Sequence, residues 1–305
     1  MATPNCKLEG AGLPSAPVGA LLGAVVMGID PNSLGYETPP MEFAYTWRDT
    51  VLYALGVGAS PDTELDYLYE GRGPKVLPTF CTIPTFAAFD GLVDRIGCDR
   101  LGMVHHSQRV DLYKSLRPNA RLQIVGRVAG LYDLRRIAMS VFVIEAYDEE
   151  GDRIIRGEVT LVLRNDGGFG GERPPRSERV EIPDREPDFE TQEHIPASQA
   201  LLYRLNGDYN PLHADPDFAA RAGFGEPLLH GLCTFGYAGR AVLRGRCGGE
   251  PSALATLRGQ FSSPVYPGDT LVVRGWNEGP RVVLAVTTKE RPGELCMSNA
   301  YAVVR

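Results

Sequence analysis

Between Tyr203 and His213 the chain reads Tyr-Arg-Leu-Asn-Gly-Asp-Tyr-Asn-Pro-Leu-His. A carboxylate (Asp208), an amide (Asn210) and an imidazole (His213) thus fall within six residues. Gly207 and Pro211 make regular helix unfavourable here, so a turn can aim all three side chains at one point. An aspartate and a histidine that share a water can divide proton delivery and proton removal between them. Asn210 can hold that water or orient a partner. The same residue types also have a plain structural use: Asp and Asn cap helices from turns, and a lone histidine packs. Spacing alone leaves both readings open.

A second element is Pro227-Leu-Leu-His-Gly231, just ahead of an apolar run. Glycine at a helix start lets a ligand approach the backbone, and the free N–H groups there stabilise negative charge. A developing enolate oxygen requires that. His230 and Gly231 are therefore candidate oxyanion or substrate-binding residues. The competing reading makes Gly231 only a close helix–sheet contact.

Other constellations are weaker. His105 and His106 are adjacent, face different ways on a strand, and have no nearby ligand set that completes a metal site. The sequence contains no G-x-S-x-G elbow and no Walker-type phosphate loop. Gly167-Gly-Phe-Gly-Gly171 lacks the lysine of a phosphate cradle and its strand–helix setting. Arg240, Arg244 and Arg246 read as a solvated face, with anion binding the lesser option.

The elements that must position these residues follow from punctuation and periodicity. Asn165 to Glu190 is crowded with Gly, Pro and charge and reads as a connection between two nearly equal parts. Strand-like runs precede it at Leu122–Ala129, Ile137–Tyr147 and Ile154–Leu163. The chain ends in the same way, with runs at Thr270–Trp276, Arg281–Thr288 and Leu295–Val304. Val282, Leu284 and Val286 alternate as on a strand with one buried face. Landmarks recur in order at nearly constant offset. Tyr53-Ala-Leu-Gly answers Tyr203-Arg-Leu-Asn, Phe80-Cys-Thr82 answers Leu232-Cys-Thr234, and Pro118–Leu122 answers Pro267–Leu271. Duplication of a unit, helical material followed by an antiparallel sheet, is the reading these support. At the same offsets Asp208 and His213 fall on Gly58 and Thr63, and Gly231 falls on Thr79. One unit is then chemically equipped and the other inert. In the second unit Ser198 is expected to cap a helix through Leu201, Leu202 and Leu205. Asp215-Pro-Asp starts another that stops near Gly223. Leu228–Leu243 forms a buried central helix whose small residues Gly231, Gly236, Ala238 and Gly239 let a sheet wrap closely.

Composition bounds the function. The chain has 305 residues, 43% of them hydrophobic and 23% charged, which suits two soluble globular domains. Lys plus Arg number 31 against 38 Asp plus Glu, a net charge of −7, and no basic block argues for nucleic acid. Cys6, Cys81, Cys98, Cys233, Cys247 and Cys296 are scattered without a C-x-x-C pair, as for thiols in a reducing compartment. No apolar run reaches transmembrane length. Val18–Met27 reads as an N-terminal extension or an early buried segment rather than a secretion signal.

With these motifs assembled, the chain resembles the MaoC-like, type-2 enoyl-CoA hydratases. Gly-Asp-Tyr-Asn-Pro-Leu-His (207–213) is similar to their hydratase motif. The similarity continues through Phe224–Thr234 and Phe261–Leu271, and into the first half at Tyr53–Ser60, Val76–Phe80 and Gly167–Gly171. It implies an α+β double hot dog fold, two antiparallel sheets each wrapped around a central helix. The boundaries are residues 1–164 for a non-catalytic unit that shapes the acyl site (1–28 an extension), 165–190 for the linker and 191–305 for the catalytic unit. By motif, Asp208 and His213 would be catalytic acid and base with Asn210 supporting them, and the Gly231 N–H would contact the thioester oxygen. The implied reaction is syn hydration of a trans-2-enoyl-CoA to an (R)-3-hydroxyacyl-CoA in fatty-acid metabolism. It needs no metal and no cofactor beyond the CoA thioester substrate. A 3-hydroxyacyl-thioester dehydratase, acting on carrier-protein or steroid side-chain substrates, and a hot-dog thioesterase are the alternatives. The resemblance also implies a homodimer, no nucleic-acid or membrane partner, and a cytoplasmic location. In a eukaryote that location would be peroxisomal, although Tyr301–Arg305 is not a peroxisomal tripeptide.

Overall fold

The computed structural model describes residues 28–176 and 178–305. Val18–Met27 and Cys6, discussed above, lie outside the described residues. The strands are β1 (Met41–Tyr45), β2 (Met103–Leu112), β3 (Ala120–Asp133), β4 (Ala138–Tyr147), β5 (Arg153–Leu163), β6 (Phe189–His194), β7 (Leu254–Phe261), β8 (Thr270–Glu278), β9 (Arg281–Thr288) and β10 (Met297–Val304). The helices are α1 (Trp47–Gly56), α2 (Pro61–Glu64), α3 (Thr82–Phe86), α4 (Phe89–Ile96), α5 (Gln199–Tyr203), α6 (Pro216–Arg221) and α7 (Gly231–Gly245).

All ten strands form one antiparallel sheet in the order β1-β3-β4-β5-β2-β7-β10-β9-β8-β6. Read inward from either edge, each half has the same sequence of strands, first-third-fourth-fifth-second. The halves join where β2 pairs β7, with Ser107 opposite Gln260 and Asp111 opposite Thr256. This is the double hot dog arrangement, with the two sheets continuous across the seam. The repeat read from sequence is visible in space: the rings of Tyr53 on α1 and Tyr203 on α5 meet edge to face at 6.2 Å. The six strand-like runs of the sequence become β3, β4, β5, β8, β9 and β10. Four strands escaped notice for physical reasons. β6, for example, is an edge strand with no fully buried side chain, so its sequence Phe-Glu-Thr-Gln-Glu-His carries no core signal.

In the second unit α7 is the central helix, and Leu232 through Leu243 are all buried. It begins at Gly231 rather than Leu228, because Leu229 is held extended by its N–H to the Val265 carbonyl at 2.8 Å. In the first unit the counterpart is short and divided into α3 and α4. The small residues of α7 do more than let a sheet wrap closely. Gly236 admits Val57 and the Tyr53 hydroxyl, and Gly239 admits Thr79. They bring the helices of the two units together, while on the sheet side Gly231 meets the ring of Phe261 and Gly239 also meets Leu257, both on β7.

Three further expectations are corrected. Arg240 is no surface residue: it is fully buried, and donates to Glu64 Oε1 at 3.0 Å, Glu193 Oε2 at 2.7 Å and the Val57 carbonyl at 2.8 Å. Arg244 also binds Glu193. Glu64 belongs to α2 of the first unit, so this buried ion cluster ties the units together. Ser198 precedes α5 but makes no side-chain cap bond, whereas Asp215 caps α6 through the N–H groups of Asp217 and Phe218. The connection after Asn165 is also more than a spacer. Val180 packs on Trp276, Val283 and Ala285, and the Trp276 indole N–H donates to the Arg185 carbonyl at 2.8 Å. The connection therefore roofs the outer face of the second sheet, which explains why β9 is buried on both faces.

Candidate active site

Gly207–His213 and Pro227–Gly231 are two loops stitched side by side: the Leu228 N–H reaches the Leu212 carbonyl at 3.3 Å. Within the first loop Asp208 Oδ1 accepts the Asn210 N–H at 3.2 Å, and Asn210 Oδ1 accepts the Leu212 N–H at 3.0 Å. These short Asx turns form because Gly207, at φ +118°, lets the chain reverse, and because Pro211 has no N–H to satisfy. Asn210 is exposed, and its carbonyl oxygen is committed to capping this turn; its amide N–H groups remain available.

The turn brings Asp208 and His213 together. One polar side-chain atom from each of Asp208, His213 and His230 lies within 4.8 Å of the other two. His213 Nδ1 lies 3.0 Å from the Leu228 carbonyl. A carbonyl oxygen only accepts, so Nδ1 carries the proton of the neutral ring and Nε2 is left with a free lone pair. Burial holds the His213 pKa below its ordinary value, against the opposing pull of the Asp208 carboxylate and of the bond to Leu228, and Arg204 adds to the depression. The imidazole is thus neutral at pH 7 with a bare nitrogen, the state a general base requires.

His230 sits deeper, 1% exposed. Its ring stacks on His213 at 3.7 Å with planes 25° apart, and Tyr203 packs on it at 4.8 Å. Its Nε2–H donates to the Asp208 main-chain carbonyl at 3.2 Å, leaving Nδ1 buried without a partner. Desolvation first, then the neighbouring His213, depresses its pKa to about 2. This side chain holds the backbone of one catalytic candidate and the ring of the other. His230→Leu is expected to lower kcat by up to about 10²-fold with KM little changed, since an ångström of misplacement has that cost; steady-state kinetics on the purified variant checks it. The cluster fits a metal poorly. An ion ligated by both rings must lie in both ring planes, and two stacked rings with centroids 3.7 Å apart and planes inclined 25° do not bring those planes together near the nitrogens.

The N-terminus of α7 completes the site. The Gly231 and Leu232 N–H groups have no acceptor among the described residues, while those of Cys233 and Thr234 return to the His230 carbonyl. Phe261 lies so close to Gly231 that a Cβ there would sit 3.2 Å from its ring. In the first unit the position matching Asp208 is Gly58, covered by the ring of Tyr237 from α7. That half has neither the acid nor the room. The glycine-rich Gly167–Gly171 also holds an anion, but its own: Asp133 takes the Gly168 and Gly170 N–H groups at 3.0 and 2.7 Å.

His105, which completes no metal site with its neighbours in sequence, comes from the first unit. The His105 ring meets Phe261, the ring that lies against Gly231, and burial lowers its pKa to about 4 against the opposing charge of Asp208. With His213 and His230 it makes three imidazoles that fold neutral. Each folded pKa lies below the ordinary histidine value, so the unfolded chain takes up the proton first. Their stabilisation is complete above about pH 6.5 and is lost as pH falls towards each folded value. At pH 5 His105 and His230 should each contribute a loss of about 2 kcal/mol. Tm measured from pH 7.5 down to 5 should fall steeply below pH 6.5, and less steeply in His230→Leu.

The MaoC like domain matches residues 178–294, and the MFE-2 hydratase 2 N-terminal domain matches residues 43–165. Enoyl-CoA hydratase 2, peroxisomal, from Arabidopsis thaliana is 37% identical over 278 residues, covering 85% of this chain and 90% of that protein. The chain belongs to the MaoC-like type-2 hydratase family. Among other members, 3-hydroxyacyl-thioester dehydratase Y of Mycobacterium tuberculosis is 40% identical over 264 residues, 83% of this chain and 89% of that one. A crystal structure of a MaoC-like dehydratase from Phytophthora capsici superposes with TM-score 0.81 at 28% identity, over 91% of this chain and 98% of that one. Among the described residues no helix is long and apolar enough to cross a membrane.

Proposed function

We propose that this member of the family is a hydro-lyase that adds water to trans-2-enoyl-CoA and yields (R)-3-hydroxyacyl-CoA, in fatty-acid breakdown. The observation that carries the reading is the meeting of Asp208 with a neutral, Nε2-bare His213 beside the open N-terminus of α7. His213 Nε2 takes a proton from water as the oxygen bonds to C3. Electrons of the C2–C3 double bond move towards the thioester carbonyl, where the Gly231 N–H and the helix N-terminus stabilise the developing negative charge. The proton that His213 takes from water passes to the Asp208 carboxylate, which delivers it to C2, so both groups end as they began. One O–H bond of water is consumed and no electrons leave the system, so the reaction calls for no redox group. Asp208 and His213 act from one loop, which supports addition of both parts of water to the same face.

Incubation with crotonyl-CoA and with trans-2-decenoyl-CoA tests this. Enoyl-thioester absorbance should disappear, and the product should serve an (R)-specific but not an (S)-specific 3-hydroxyacyl-CoA dehydrogenase. Release of free thiol in place of hydration would instead indicate a thioesterase. The 40% identity to a protein named as a 3-hydroxyacyl-thioester dehydratase supports a second reading, dehydration in the cell by the same dyad run backwards. We carry over a homodimer from the family resemblance; light scattering on the purified chain tests it.

A further inference from the structure

His105 is held beside the catalytic loop by the inert unit. The register of β2 against β5 slips between His105 and Ser107, a β-bulge at His106; such bulges re-aim side chains. The His105 ring meets Phe261 edge to face at 5.0 Å, and the same Phe261 ring lies against Gly231. His105 faces a small cavity that it shares with Thr82, Thr85, Phe86, Gln108 and Leu232, the residue after Gly231. The free volume, about 10 Å³, admits one water-sized group.

The polar groups of this cavity are mostly committed. Thr82 and Thr85 donate to the Thr79 and Cys81 carbonyls at 2.9 and 3.0 Å, and the Gln108 amide donates to the Arg109 carbonyl at 3.3 Å. His105 Nε2 is shielded from solvent and completes no hydrogen bond, although the Gln108 side chain lies beside the ring. A buried nitrogen left unpaired is costly, and a ligand that supplies the missing bond recovers the cost.

We propose that His105 is a specificity-determining residue of the acyl pocket, whose free ring nitrogen receives a hydroxyl carried on the acyl chain of the enoyl thioester. The inference rests on the hydratase reading above. A hydroxyl both donates and accepts, so it suits either tautomer of the neutral ring, and its oxygen has the size of the water-sized space. An alkyl chain fills the same space but leaves Nε2 unpaired.

The experiment compares kcat/KM for trans-2-enoyl-CoAs of about five to ten acyl carbons, each with and without a terminal hydroxyl. At one chain length the wild-type protein should use the hydroxylated thioester within about threefold of the plain one, or better. At other lengths the hydroxyl should cost about tenfold or more, because it is buried unpaired. In His105→Leu that favoured length should vanish, with the ratio falling about tenfold; in His105→Gln, which keeps a hydrogen-bonding group, it should persist. Hydroxylated substrates inferior by tenfold at every length in the wild type overturn the proposal, even if His105→Leu fails to fold. A ratio unchanged in a folded His105→Leu overturns it as well. Wild-type protein that hydrates neither series defeats the hydratase reading itself, and this inference with it.

Discussion

Asp208→Asn should lower kcat for enoyl-CoA hydration by about 10²- to 10⁴-fold, the usual contribution of a positioned acid or base. The substitution is close to isosteric, and its carbonyl oxygen can still accept the Asn210 N–H that Asp208 Oδ1 takes at 3.2 Å. The turn should therefore persist, and the loss should appear in kcat with thermal stability nearly unchanged. His213→Gln should lose as much, because nothing else on the loop offers a bare nitrogen beside Asp208. The double variant should be scarcely slower than either single one, since two groups handling one proton inventory act as a unit. Loss of enoyl-thioester absorbance in single-turnover mixtures measures this. Both single variants turning over within threefold of wild type would remove Asp208 and His213 from the chemistry. The pH profile supplies an independent check. The depressed pKa of His213 moves the acid limb of kcat/KM below the ordinary histidine range, so activity should be flat through neutrality and decline only in more acidic buffer.

The second large effect concerns stability. Arg240→Met removes the one cation that touches Glu64, Glu193 and the Val57 carbonyl together. Glu64 is 5% exposed and would keep its carboxylate without that partner, with only Arg244 nearby at 3.9 Å. Breaking a buried pair in this way typically costs about 3–5 kcal/mol, here roughly a 10 °C fall in Tm. Glu64→Gln should cost less, since Arg240 retains Glu193 and the amide oxygen can still accept. The paired replacement Glu64→Leu with Arg240→Met should be milder than Arg240→Met alone, because no charge is stranded. Urea unfolding of the four proteins measures the order; an Arg240→Met midpoint equal to wild type would show the cluster to be dispensable. Activity should fall in step with stability, because Arg240 lies on α7, whose first residue is Gly231.

Much of this protein was legible before any coordinates. Local chemistry wrote itself into the sequence: the Asx turns of Asp208 and Asn210, the cap and proline that start α6, the apolar run that becomes β9, and the shared offsets of two units. The strands lost to sequence reading were those whose residues do not advertise burial. β6 is exposed at its edge, and β2 is interrupted by the bulge at His106. Arg240 misled for a related reason. An arginine four residues before another looks like one face of a surface helix, and only Glu64, 176 residues away, makes burial tolerable. The roles of the histidines were likewise beyond one-dimensional reach. Sequence established that His213 and His230 flank a helix start. Only packing decided that one ring would lie on the other, that His230 would turn its nitrogen to the Asp208 backbone, and that His105 would arrive from the opposite unit. The sequence alone determined which residues could handle a proton, because that depends on side-chain type and nearby turns. The tertiary structure determined which of them meet, which are stripped of water and which are left without a partner, because those properties belong to contacts between segments far apart in the chain.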